Sequence, residues 1–141
     1  MEIKLSKNFT IAECQNSEYA KKHNIPNILP ADCYKGAMML ANSVLEPIRK
    51  RYGSFSPNSW YRSPEVNKGV GGSPNSDHMT GRAADIRING IPLKDLAQWI
   101  IDNLESDQLI LEPNWVHISF KENNRYQVLH KTKNGYGLGL E

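Results

Sequence analysis

Cysteine is scarce in this 141-residue chain, which has only Cys14 and Cys33. Neither belongs to a C-x-x-C pair or stands at metal-ligand spacing from a histidine. That excludes a thiolate zinc site and a disulfide scaffold, and each cysteine is expected to act as a small buried apolar residue. Long apolar runs are missing too: no stretch approaches the roughly 18 residues of a membrane span, and the opening MEIKLSKNF lacks the apolar centre of a secretory signal. The expectation is a protein made and folded in the cytoplasm, which another agent must deliver if it works outside. Charge of one sign is also in short supply. The formal net charge is +2, and the only block of like charge is RKR at 49–51, too little to argue for nucleic acid. No repeat and no linker divides the chain, so one domain over 1–141 is expected, as a monomer. A chain of this length buries about two thirds of the surface its unfolded form exposes, enough for a core of its own.

Thr10 followed by Glu13 is a capping box, and it predicts a short helix through about Lys22. The connector HNIPNILP precedes a main helix from Asp32, in which Cys33, Ala37, Leu40, Ala41, Val44 and Ile48 recur at helical spacing, bent or ended near Pro47. SWYR, within 54–62, reads as a strand, and Ser63-Pro64 as the start of a short helix. The glycine-dense KGVGGSPNS lacks the ending of a nucleotide phosphate loop. Then come a strand AADIRI, a turn at NG, an apolar-striped helix PLKDLAQWIIDNL, and the strands QLIL, WVHISF and RYQVLH. NGYGLGLE, at about 134–141, is left as a tail without assigned structure. Helices early and strands late make an α+β fold, with N-terminal helices packed on a mostly antiparallel sheet.

SDHMTGRAADIRI, at 76–88, sets His78 and Asp85 seven positions apart. A straight helix would separate them by roughly 10 Å along its axis, too far for one ion. A turn at MTGR that runs into a strand folds His78 back over Asp85. Strand alternation puts Val116, Ile118 and Phe120 on the core side of WVHISF and His117 opposite, while Asp85 and Arg87 turn away from Ile86 and Ile88. If the two strands pair, Asp85 and His117 come within reach of one ion. Two histidines and one carboxylate leave a fourth tetrahedral position open, as a catalytic zinc requires. On spacing alone a turn histidine and an aspartate paired with Arg82 or Arg87 remains the commoner arrangement.

Taken together and in order, SWYRSPEVNKGVGG, SDHMTGRAADI and DQLILEPNWVHISF resemble the zinc peptidases of the M15 D-alanyl-D-alanine carboxypeptidase family, among them its single-domain phage and bacterial members. The wider fold group includes the hedgehog signalling domain. The likeness runs from about Phe9, through VLEPIR, to Phe120, and S-x-H-x-x-G-x-A-x-D is a specific motif. The resemblance implies zinc ligands at His78, Asp85 and His117, one zinc per chain, a water-activating carboxylate at Glu112, and a substrate- and oxyanion-binding arginine at Arg62. It also implies substrate contact at Ser76, with Asn67 and Trp115 shaping the pocket. EPNWVH departs from the E-x-x-H spacing of the dipeptidase branch, and Pro113-Asn114 is expected to re-aim Glu112. Each role has a plainer competitor: Glu112 as a solvated carboxylate, Arg62 paired with Glu65, Ser76 as a cap of the turn before His78. His23 and His130 lie outside every motif and read as surface residues.

The implied activity is metal-assisted hydrolysis of a peptide bond in peptidoglycan stem peptides, as a D-Ala-D-Ala carboxypeptidase or an L-Ala-D-Glu type endopeptidase. A phage lysin released by a holin would fit the missing signal. The main rival is a non-catalytic zinc-binding interaction module of the hedgehog kind. A metal-free interaction domain and a cysteine hydrolase are the others, and manganese or cobalt would suit the same ligands.

Overall fold

The computed structural model describes residues 2–141, and its first helices form where the caps dictate. Thr10 accepts a hydrogen bond from Glu13 N, and Glu13 returns one to Thr10 N, completing the capping box of α1 (Ile11–Gln15). The helix expected through Lys22 is in fact two. Asn16 is extended, and Ser17 caps a new helix, α2 (Glu18–His23), by accepting from Ala20 N. Two side-chain caps in quick succession compete with one continuous helix.

The main helix enters through a 3-10 turn at Ala31–Cys33 and runs as α3 (Tyr34–Leu40), a π-helical turn (Ala41–Leu45) and α4 (Glu46–Tyr52). It does not end at Pro47. Glu46 N reaches back five residues to Ala41 O, so the turn widens just ahead of the proline, whose ring excludes the ordinary bond. Ala37, Leu40, Ala41, Val44 and Ile48 are buried as the spacing predicts, with Leu45 added.

A second correction concerns SWYR. It forms no strand; a single bridge joins Ser59 to Asp85. The next backbone groups find partners elsewhere, Tyr61 N at Cys14 O and Arg62 N at His78 O. Ser63 caps α5 (Pro64–Gly69), with Pro64 at its start. The later strands are β1 (Ala83–Ile86), β2 (Gln108–Leu111), β3 (Val116–Ser119), β4 (Gln127–Thr132) and β5 (Gly135–Leu138), with α6 (Leu93–Asn103) between β1 and β2. The stretch left as a tail thus contains β5, a third correction. Its order in the sheet is β1-β3-β2-β4-β5, antiparallel throughout except for the parallel pair β2 and β4.

One face of this sheet, with Ala84, Ile86, Leu109, Val116 and Ile118, packs against Leu40, Val44, Leu45 and Ile48 and against Leu96, Ala97 and Ile100 of α6. Each such aliphatic side chain contributes about 1.5–3 kcal/mol on burial, so the sheet is clamped on its helix side. The fold is α+β, as expected. No helix among the described residues is long and apolar enough to cross a membrane. The opposite sheet face carries Asp85, His117 and Gln108, with Ile110 and Leu129 beside them.

Candidate metal centre and cleft

Alternation along β1 sends Ala84 and Ile86 to the core and Asp85 to the open face. β1 and β3 pair so that Asp85 stands directly opposite His117. The residues before β1 turn through a 3-10 segment (Asp77–Thr80), closed by Gly81 at φ 74, a left-handed conformation that suits glycine. That turn lays His78 over Asp85, as the spacing argument requires. One donor atom from each of His78, Asp85 and His117 lies within 4.8 Å of the other two.

His78 is 2% exposed, and its two ring nitrogens have different surroundings. Nδ1 donates to Trp60 O at 2.6 Å, which leaves Nε2 with its lone pair free. Nε2 lies 3.3 Å from Asp85 Oδ1 yet makes no hydrogen bond there, and it is buried. A buried polar atom without a partner is costly, and a metal ion is the partner that a neutral imidazole nitrogen beside a carboxylate accepts. The three side chains therefore fit a zinc ion by their chemistry and by this orphaned atom. Burial pushes His78 below the ordinary histidine range, so it stays neutral and ready to ligate. Burial alone would raise Asp85, but the neighbouring His117 and His78 rings outweigh it and hold the carboxyl well below the usual range. His117 Nδ1 is 3.1 Å from Asp85 Oδ1.

Arg62 completes the back wall. Its Nη2 donates to Asp85 Oδ2 at 3.2 Å, Nη1 to Asn67 Oδ1 at 3.1 Å and Nε to Ser59 Oγ at 3.2 Å. Its partner is thus Asp85, not Glu65. Three of the five guanidinium N–H groups are used, and two remain for another acceptor. Asn67 in turn donates to Ser73 O and accepts from Gly72 N at its backbone carbonyl, tying the glycine-rich loop to the arginine. A Cβ on Gly72 would sit 2.0 Å from Asn67 Oδ1 and 2.9 Å from Arg62 Nη1, so only glycine allows this approach.

His78, Asp85, His117, Arg62, Ser59, Gly72 and Ser73 line one cleft of about 900 Å³, together with Ser76, Glu112, Trp115 and Arg87. Ser76 Oγ accepts from His78 N at 3.2 Å, so the capping competitor describes a contact the serine does make. Glu112 N donates to Trp115 O at 3.0 Å and closes the β2–β3 hairpin around Pro113-Asn114. Glu112 is half-buried in the cleft, and burial raises its carboxyl above the ordinary range. The structure thus brings His78, Asp85, His117, Arg62, Ser76, Glu112 and Trp115 to one cleft, whereas Asn67 is buried behind its wall and reaches it only through Arg62. Cys14 is buried and Cys33 half-buried, both free and outside its lining. Burial pushes the Cys14 thiol far up, which removes it as a nucleophile.

Sequence reasoning missed Ser59, Arg87 and Tyr136, all in the cleft wall. An N-G pair at 134–135 between β-forming residues is a hairpin signal that would have placed Tyr136 on a strand. His130, read as a surface residue, is half-buried instead, with Nδ1 donating to Gly139 O at 3.0 Å. His23 is exposed and stacks on Tyr19.

In comparisons with known proteins, a family model described as Peptidase M15 matches residues 7–119. No curated protein matches the chain.

Proposed function

Because this chain belongs to the peptidase M15 family, we propose that its cleft is the active site of a zinc-dependent peptidase acting on peptidoglycan stem peptides. The observation that carries the reading is the buried, unpartnered Nε2 of His78 beside Asp85 and His117, in the same cleft as Glu112 and Arg62. His78, Asp85 and His117 would hold the ion. When bound, zinc supplies Lewis acidity and makes water a competent nucleophile near neutral pH.

The side chains then divide the remaining work. Glu112 takes the proton of the attacking water and returns it to the leaving amine nitrogen, a role helped by the burial that raises its affinity for a proton. The two free N–H groups of Arg62 hold the negative charge that develops on the substrate carbonyl oxygen. Asn67 and Ser59 keep the guanidinium aimed, and Trp115 shields one side of the cleft from water. Ser76 fixes the His78 turn and presents its hydroxyl to the cleft. The bond cut is a stem-peptide bond, D-Ala-D-Ala or L-Ala-D-Glu, and the wall is reached after release from the cell.

Digestion of purified peptidoglycan with and without a chelator, read by mass spectrometry of the released fragments, tests this. Chelator-sensitive release is expected, with fragment masses that name the bond. Bound zinc with an intact wall would replace the peptidase by a zinc-binding interaction module.

A further inference from the structure

The stretch shared with the family ends at Ser119, and β4 and β5 lie beyond it. Gln108 and Ile110 of β2 line the cleft, as does Glu112 just past the strand's end, so this sheet face is the cleft floor. Register carries the floor outward. Ile110 pairs with Leu129 and Leu129 with Leu138, while Lys131 pairs with Tyr136, and Tyr136 lines the cleft along with Glu112. Paired residues of neighbouring strands share a face, so these side chains extend one surface from Glu112 to the sheet edge.

That surface is built rather than loose. Lys131 Nζ stands 4.6 Å from the centroid of the Tyr136 ring and fixes it by a cation–π contact. Beneath, the His130 ring packs against Gly137, and Gly139 N donates to Val128 O at 2.8 Å. Yet Leu138 is 80% exposed and Tyr136 54%. Tyr136 in the cleft wall and Leu138 two residues along the same strand face, with Lys131 on the strand between them and Glu112, have no role in the fold's own core.

We propose that Leu129, Lys131, Tyr136 and Leu138 form a substrate subsite on the side of Glu112 away from His78, which selects an aliphatic residue next to a carboxylate. Leu129, Leu138 and the Tyr136 ring supply the apolar platform, and the Lys131 ammonium receives the carboxylate. The subsite rests on the peptidase reading, because its occupant is the portion of the peptide beyond the scissile bond.

The test uses zinc-loaded full chain, the stem pentapeptide L-Ala-γ-D-Glu-L-Lys-D-Ala-D-Ala, and the dipeptides L-Ala-D-Glu and D-Ala-D-Ala. Turnover is measured for the parent, Tyr136→Ala, Leu138→Ser and Lys131→Gln, and pentapeptide binding to the Glu112→Gln protein by calorimetry, with and without Tyr136→Ala. The expected result is a fall of about tenfold in kcat/KM on the pentapeptide for Tyr136→Ala, carried by KM and matched on whichever dipeptide shares the residues beyond the scissile bond. Cleavage with parent-like kcat/KM on the pentapeptide in all three variants overturns the subsite and leaves the peptidase standing. If the parent cleaves nothing, the peptidase reading falls. The subsite then survives only if Tyr136→Ala weakens pentapeptide binding, and undiminished or absent binding overturns it as well.

Discussion

At the scale of single residues, the account depends on a division of labour between groups that hold a metal and groups that act beside it. Glu112 touches none of the three ligands by hydrogen bond and shares only the cleft with them. Glu112→Gln is therefore expected to keep a full complement of zinc and lose about 10²- to 10⁴-fold in kcat, the usual worth of a general acid–base group. Metal analysis and turnover on the same sample check it, and undiminished turnover would remove Glu112 from the mechanism. Gly72→Ala makes a subtler demand. The added methyl meets Asn67 Oδ1 and Arg62 Nη1, so the guanidinium must move while the ligands stay. Retained zinc with at least a tenfold loss of kcat/KM is expected, and parent-like kinetics would show that the aim of Arg62 is irrelevant. That His78, Asp85 and His117 come together was legible in the sequence, because strand alternation and one turn suffice once β1 and β3 pair, but their choice as metal ligands came from the family resemblance and not from spacing. The role of Gly72 was not, because spacing does not reveal which atoms will crowd a glycine.

At the scale of elements, local signals succeeded where they specify caps and failed where long-range partners decide. The capping box of Thr10 and Glu13 was readable, and α1 matters to the site because Cys14 O accepts Tyr61 N, one residue before Arg62. Thr10→Ala should lower unfolding free energy by about 1 kcal/mol, measured by urea denaturation. No change in midpoint would mean that the cap of α1 adds nothing to the stability of the fold. SWYR has strand composition but lies between α1 and the His78 turn, which take its hydrogen bonds. No propensity scale carries that information. The π-helical turn before Pro47 escaped for the opposite reason: a proline inside an apolar stripe signals a break, and a five-residue hydrogen bond repairs it without ending the helix. β5 hid behind its glycines, although N-G at 134–135 is a local hairpin signal.

At the scale of the whole molecule, charge and metal should both be visible in stability. The Asp107 side chain is 1% exposed and accepts from Arg125 Nε, Nη2 and N. Those hydrogen bonds from Arg125 hold its carboxyl below the usual range despite burial. A carboxyl depressed in the folded state contributes stability that is fully present above its unfolded pKa of about 3.9 and is lost as pH falls through its folded value. Asp107→Asn should cost on the order of 2 kcal/mol at pH 7 and flatten the loss of stability below about pH 4, seen in thermal melts across that range. An unaltered acid limb would assign it to other groups. Because the folded chain alone gathers His78, Asp85 and His117, zinc held by them at a thousandfold excess over its Kd should add about 4 kcal/mol, a rise in Tm on the order of 10 °C that a chelator reverses.

The most direct test of the metal centre is a titration of metal-free protein with zinc, reading bound metal and stem-peptide hydrolysis in the same sample. The account predicts that hydrolysis rises from baseline in step with binding and saturates at one zinc per chain, and that His78→Ala abolishes both. Hydrolysis that is complete before zinc is added, or that fails to follow its binding, would contradict it.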